Sequence, residues 1–345
     1  RNLTKGMPGP GSVLRVRERF KGSLQTLKPT AIDLFSGCGG LSLGLRLAGF
    51  DVCGAVEVDP DAVQTYRLNH RSARVISRDI RKVNPSELLG KRHKRVDLLA
   101  ACPPCQGFSR IRSRNGSNRH RDFRNGLVRE VLRFVAKLLP SAVVLENVPQ
   151  LASHWQGALL RRGLRRLGYE INQAVIDVAE LGLPQRRKRY VLVAGLGWKP
   201  NLPALSPMRL SVRKALAHLP PVGTAGDPLH DWQRKHSTRI LRLISMVPKD
   251  GGSRRSIDRS LLAACHKKTS GFRDVYGRMS WDDVSPTITG GCINPSKGRF
   301  IHPAEDRAIT LREAALLQGF PSRYSFPTEL GIYRIATLIG NAFPP

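Results

Sequence analysis

The first ordered pattern in the chain is a short apolar run, Thr30-Ala-Ile-Asp-Leu-Phe35, closed by Gly37, Gly39 and Gly40. A helix-like stretch carrying Leu45 and Leu47 follows it. A second apolar run, Val52-Cys-Gly-Ala-Val56, ends at Glu57. Asp59-Pro60 then has the cap and first-turn chemistry that opens a helix. Further apolar runs stand at Val75-Ile76, Val96-Asp-Leu-Leu-Ala-Ala101, Ala142-Val-Val-Leu145 and Tyr190-Val-Leu-Val-Ala194. Strands of this kind alternating with helices predict an open α/β sheet, with ligands at the strands' carboxyl ends.

The texture changes near residue 200. From 201 to 305 the chain is rich in Pro, Gly, Arg and Ser and loses its periodicity, which predicts a smaller, irregular domain. Helical periodicity returns after Arg307, where Leu311, Ala314, Ala315, Leu316 and Leu317 form an apolar face. Residues 1–28 are basic and rich in Gly and Pro, and read as a flexible arm. The expected organisation is an arm (1–28), a main domain (29–200), the irregular domain (201–305) and a return to the main domain (306–345). No internal repeat is visible. No apolar run reaches the roughly 18 residues a membrane span requires, and no secretory leader pattern opens the chain.

The net charge of +31 over 345 residues changes this picture most. An enzyme for small metabolites has no need of it, whereas a polyanion is neutralised by it with release of counterions. The six cysteines include one Cys-x-x-Cys pair and are too sparse for a disulfide scaffold, so a reducing, cytoplasmic setting is expected.

Candidate chemistry follows from the strand ends. The turn Asp33-Leu-Phe-Ser-Gly-Cys-Gly-Gly40 lets backbone approach a ligand, and Glu57 at the end of the next strand suits ribose hydroxyls. The alternative is an ordinary tight turn. A dinucleotide fingerprint fails, because Ser42 stands where its third glycine belongs. Cys102-Pro-Pro-Cys105 ends another strand in a proline-stiffened loop. Redox, zinc and structural readings compete there with a nucleophilic Cys105, which lies beyond both prolines. The loop after it carries Arg110, Arg112, Arg114, Arg119, Arg121 and Arg124, suited to clasping a polyanion or simply solvated. Glu146 ends the strand of Val143-Val-Leu-Glu-Asn-Val-Pro149, as an active-site acid, a helix cap or an ion-pair partner.

Taken in order, the segments DLFSGCGG, CPPCQGFSR, ENVPQL, LPQRRKRYVLVA, ITLREAALLQGFP and IGNAFPP resemble the motifs of the cytosine-5 DNA methyltransferase family from Ile32 to Pro345. The resemblance implies a Rossmann-like S-adenosylmethionine-dependent methyltransferase fold with a mostly parallel sheet and a target-recognition domain at 201–305. It implies Cys105 as nucleophile, Glu146 as the acid at the ring nitrogen, and Arg187 and Arg189 as the basic pair supporting base and catalytic loop. Phe35, Gly37, Gly39, Glu57, Asp79, Pro104 and Asn341 become the cofactor residues, the last in a motif that packs beside the first. Arg110, Arg112, Arg114, Thr287 and Ile288 become the DNA-contacting residues. No metal is implied. Cys102, Arg78 and Phe343 depart from the commonest pattern, Cys102 standing where a small residue is usual. In the family the chain continues past the last motif into a packing helix.

The implied reaction moves a methyl group from S-adenosylmethionine to carbon 5 of a cytosine flipped out of duplex DNA, with a monomeric enzyme in the cytoplasm or nucleoid. A separately acting restriction endonuclease is the implied biological partner. A tRNA cytosine-5 methyltransferase on the same motifs and a catalytically silent DNA-binding relative are the alternatives. The long 201–305 segment argues against the first, and intact Cys105, Glu146 and Asn341 argue against the second.

Overall fold

The computed structural model describes residues 28–90, 93–104, 126–206, 208–262 and 274–345. Its strands are β1 (Thr30–Leu34), β2 (Asp51–Glu57), β3 (Arg74–Ser77), β4 (Leu98–Ala101), β5 (Ala142–Asn147), β6 (Tyr169–Asp177) and β7 (Lys188–Leu196). They form one sheet in the order β3-β2-β1-β4-β5-β7-β6. The first five strands are mutually parallel. Strand β7 runs antiparallel to both β5 and β6. The mostly parallel sheet expected from the sequence is therefore present, closed on one side by a hairpin that the apolar runs did not reveal. Strand β6 is an edge strand, and its exposed Glu170 and Gln173 and half-exposed Asn172 break up the apolar signal.

Helices α1 (Gly40–Leu47), α2 (Pro60–Asn69), α3 (Leu127–Leu138) and α4 (Trp155–Arg166) fall between the strands. The Asp59 carboxylate accepts the Asp61 N–H and Pro60 takes the first helical position, as the sequence predicts. Between 201 and 305 the described residues form only short helices, α5 (Val212–Leu216), α6 (Pro228–Asp231) and α7 (Thr238–Ser245), with single-turn 3-10 pieces. Helices α8 (Leu311–Leu317) and α9 (Ile332–Asn341) follow. Thr310 and Glu313 form a reciprocal capping box at the start of α8. Its Leu311, Ala314, Ala315 and Leu317 are buried, while Leu316 is only half-buried.

Side chains alternate between the sheet's faces. One face buries Ile32, Leu34, Leu99, Ala101 and Leu145 with Phe134 of α3 and Leu160 of α4. The other buries Ala31, Val52, Leu98 and Ala100 under Leu41 and Leu45 of α1. A further core joins Cys38 and Ala62 to Val212, Met279, Ile288, Phe300 and the apolar faces of α8 and α9. The irregular stretch is held partly by Arg278, which is 0% exposed. Its guanidinium donates to the carbonyls of Ile244, Val247, His302 and Glu305 and pairs with Asp306. One buried cation thus ties the end of α7 to the irregular backbone at His302 and Glu305. Among the described residues, no helix is long and apolar enough to cross a membrane.

Candidate active site

Parallel strands bring the ends of β1, β2, β4 and β5 to one edge of the sheet. After β1 the backbone turns through Phe35 (φ 61°), Gly37 and Gly39 (φ 100°) into α1. A left-handed Phe costs about 1 kcal/mol or more and persists where its surroundings impose it. Glu57, at the end of β2, helps to impose it. One of its oxygens accepts the Gly37 N–H at 2.8 Å, and the other accepts those of Val58 and Asp59 at 2.8 and 2.9 Å. From the far side, Tyr324 donates its hydroxyl to the Cys38 carbonyl at 2.5 Å. His70 Nε2 lies 3.0 Å from the Gly39 carbonyl, which can only accept, so this nitrogen carries the proton. Burial, with Arg46 nearby, pushes the His70 pKa down to about 4 and keeps the ring neutral.

Ser42 has a role in place of a third glycine. Its hydroxyl donates to the fully buried Asp33 at 2.7 Å and meets the Tyr66 hydroxyl at 2.8 Å. Burial pushes the Asp33 carboxyl up to about 7, with the Ser42 hydrogen bond opposing. Asp79 lies two residues past β3, whose Ser77 pairs with Glu57. It caps a short 3-10 helix and binds Arg81 through Nε at 3.0 Å, which holds its carboxyl down at about 2. Asn341 is exposed at the end of α9. The expected approach of the last motif to the first is seen at Gly40, where an added Cβ would lie 2.0 Å from the Phe343 carbonyl oxygen, and the Cys38 thiol donates to the neighbouring Leu338 carbonyl at 3.6 Å.

On the other side of the same edge, Glu146 of β5 faces Arg189 of β7, with Oε1 and Nε 2.7 Å apart. Both side chains are largely enclosed, at 12% and 16% exposure. Burial raises the Glu146 pKa, while Arg189, Arg187 and a hydrogen bond from the Cys102 thiol oppose that rise. The Asn147 amide donates to the Pro103 carbonyl at 2.9 Å, fixing the start of the proline loop. Pro104 is exposed at the last described position of that loop. Cys105, Arg110, Arg112 and Arg114 lie outside the described residues.

The two arginines of the expected pair differ. Arg187 is 5% exposed and donates to the carbonyls of Ile288, Gly340 and Ala342 at 3.0, 3.3 and 3.2 Å. It binds late segments of the chain to the residue that precedes β7, whereas Arg189 is the one in contact with Glu146. Ile288, expected at the DNA surface, has a side chain that is 0% exposed, so of that pair only the half-buried Thr287 offers side-chain surface. The sequence reading missed Gln185 and Gln318. Gln185 accepts the Ile288 N–H at 3.0 Å and donates to the Gln318 side chain at 2.6 Å. Gln318 in turn donates to the Ala342 carbonyl at 2.7 Å. The available signal was a glutamine beside an arginine run and another at the end of an apolar helix, both more polar than a core position allows unless paired.

Residues 30–345 match the sequence model of the family described as C-5 cytosine-specific DNA methylase. The chain belongs to that family. It is 37% identical over 333 residues to the type II methylase M.HgiDII of Herpetosiphon aurantiacus, covering 91% of each chain. It is 35% identical over 326 residues to the type II methyltransferase M1.HphI of Haemophilus parahaemolyticus, covering 92% of this chain and 83% of the relative. Among solved structures, a protein assigned as a DNA modification methyltransferase and encoded within an E. coli prophage superposes with a TM-score of 0.66 at 27% identity, over 92% of this chain and 95% of that one. As a C-5 cytosine-specific DNA methylase, the protein is a DNA (cytosine-5)-methyltransferase.

Proposed function

We propose that this methyltransferase draws its methyl group from S-adenosylmethionine, holds a flipped cytosine at the Glu146–Arg189 pair, and activates it through a covalent bond to Cys105. The observation that carries the reading is that ion pair, 2.7 Å long and largely enclosed at the carboxyl edge of β5. A carboxyl raised by burial and steadied by a guanidinium suits a group that holds or gives a proton at ring nitrogen 3. Arg189 has further donors for the base's carbonyl oxygen.

The residues at the β1 and β2 ends fit the cofactor. A Cβ placed on Gly37 would meet no atom within 4 Å, so the turn opens onto free space beside the Glu57 carboxylate. Val58, 64% exposed, and the half-buried Phe35 give that space apolar walls. Glu57 would take the ribose hydroxyls, Asp79 the adenine amine, and Gly37, Gly39, Pro104 and Asn341 would line the rest. S-adenosylmethionine there supplies an electrophilic methyl on a sulfonium. The protein's part is to make carbon 5 nucleophilic. The Cys105 thiolate adds to carbon 6, Glu146 protonates or hydrogen-bonds nitrogen 3 as charge builds there, and carbon 5 becomes enamine-like. Once carbon 5 carries the methyl group, its proton passes to water, the thiolate leaves carbon 6 and the aromatic ring is restored.

The base reaches these groups only after leaving the duplex, at a cost of about a few kcal/mol. Contacts from Arg110, Arg112, Arg114, Thr287 and the rest of 201–305, acting as the target-recognition domain, offset that cost. The enzyme works as a monomer beside a separate restriction endonuclease; the type II names of the relatives bear on the endonuclease alone. Bisulfite sequencing of duplex DNA treated with the purified protein, with tRNA assayed alongside, tests the substrate. Cys105→Ala should abolish turnover and trapping of a fluorocytosine duplex while sparing DNA binding. Methylation by that variant would sink the nucleophile assignment. Glu146→Gln should slow the reaction about 10²- to 10⁴-fold with cofactor binding intact, and a near-normal rate would remove Glu146 from the chemistry. Duplex affinity should fall steeply with salt, and a flat response would contradict the role given to the +31 charge.

A further inference from the structure

Strands β4 and β5 run parallel with Ala101 beside Leu145. The next residue on each strand, Cys102 and Glu146, therefore points to the same face at the sheet's edge. The backbone of Cys102 is fixed on both sides. Its own N–H donates to the Leu34 carbonyl at 3.2 Å, extending the β1–β4 ladder by a residue, and the following Pro103 carbonyl receives the Asn147 amide at 2.9 Å. The register sets its thiol beside the Glu146 carboxylate, near enough that each group shifts the other's titration. Arg189 meets the same carboxylate from β7 at 2.7 Å, so two neighbouring strands grip one side chain from opposite flanks.

The proton in this contact belongs to sulfur. The thiol is half-buried, and burial together with the carboxyls of Glu146 and Asp33 pushes its pKa well above the ordinary thiol value. Such a group is a hydrogen-bond donor and a poor nucleophile. The charged and titratable groups facing Glu146 are Arg189 of β7, Arg187 just before that strand and Cys102 just after β4, with Asp33 of β1 acting on Cys102. Cys102 alone among them donates to the carboxylate without carrying charge. It holds the orientation of Glu146 while leaving its ionic balance to the arginines.

We propose that Cys102 is a positioning residue, whose protonated thiol pins the Glu146 carboxyl against Arg189 so that it meets the flipped base in a single orientation. This rests on the role given to Glu146 above. A donor to the charged carboxylate also keeps its pKa lower than burial alone would set it. The activity that needs a protonated Glu146 falls as pH rises through that pKa.

The test compares Cys102→Ala, Cys102→Ser and Glu146→Gln with the wild-type enzyme. In Cys102→Ala the alkaline limb of the kcat/KM profile should move upward by roughly 0.5 to 1 pH unit, and Cys102→Ser, which restores a donor, should bring it back. The infrared S–H stretch assigned by difference against Cys102→Ala should lie at the low frequency of a thiol bonded to a carboxylate, and rise in Glu146→Gln. Thermal unfolding of each variant separates loss of fold from loss of positioning. A Cys102→Ala enzyme with an unshifted limb, or with a lower melting temperature as its only change, overturns the proposal. So does a free-thiol S–H frequency in the wild type. If Glu146→Gln keeps a normal rate, it is the role of Glu146 that fails first, and this inference falls with it.

Discussion

Arg187→Leu should destabilise the enzyme by about 3–5 kcal/mol, even though a leucine fits the volume. The guanidinium, 5% exposed, donates to the carbonyls of Ile288, Gly340 and Ala342. Two of these belong to the end of α9, where the final carbonyls of a helix have no partners of their own. A buried cation at a helix C-terminus contributes up to about 2 kcal/mol. Ala342 keeps its Gln318 donor, so the carbonyls of Ile288 and Gly340 are the two stripped, at about 1–3 kcal/mol each, less whatever water recovers. Native stability is about 5–15 kcal/mol, so the change removes a sizeable share of it. Urea unfolding is the assay, with a midpoint loss of roughly 1 M expected. Hydrogen exchange in α9 should accelerate before that of β4 or β5. Arg187→Lys should recover only part of the loss, since one ammonium cannot span three carbonyls as a planar fork does. A loss under about 1 kcal/mol, or a full rescue by lysine, would refute the reasoning. Wild-type stability combined with lost activity would return Arg187 to the chemistry.

Three further outcomes are expected. Gly340→Ala places a Cβ 2.1 Å from the Thr289 carbonyl carbon and 2.2 Å from the Gly290 nitrogen, so α9 must back away from that segment. Calorimetry should show a loss of about 1–3 kcal/mol, and an unchanged melting temperature would mean the contact is loose. His70, with a pKa lowered from 6.5 to about 4, contributes stability that is complete above 6.5 and is lost as pH falls towards 4, by about 3 kcal/mol. His70→Gln should flatten unfolding free energy across that window, and an unchanged slope would argue against it. Asp33, raised from 3.8 to about 7, acts with the opposite sign, its contribution fading as pH climbs through that range. Asp33→Asn should therefore gain relative to wild type on moving from pH 4 to pH 8, which denaturation at the two pH values would check.

The strands that line the site were readable because buried parallel strands are nearly continuous apolar runs, and because an acid closing such a run, as Glu57 and Glu146 do, is conspicuous. Asp59-Pro60 announced α2 through local chemistry alone. Strand β6 escaped notice because one of its flanks has no strand to pair with and its residues are half polar. The reversed direction of β7 was invisible for another reason: Tyr190-Val-Leu-Val-Ala194 has the same apolar pattern whichever way its neighbour runs. Within the site, the resemblance nominated Arg187 and Arg189 together. Only geometry separates the one that meets Glu146 from the one that binds late carbonyls. The Gln185–Gln318 contact joins residues 133 positions apart, and no local pattern encodes a partner at that distance. Cys102 read as the end of a strand, and its bond to Glu146 follows from the β4–β5 register rather than from composition.

The join between Cys38 and Leu338 spans 300 positions, and that between Tyr324 and Cys38 spans 286. A ribosome adding about 5–20 residues per second therefore leaves the nascent glycine turn without its cover for roughly 15–60 s. During that interval Cys38, Leu43 and Ala62, which pack against α8 and α9 in the finished fold, are natural sites for chaperones. A translation product cut short before Tyr324 lacks both latches, and its glycine turn stays uncovered.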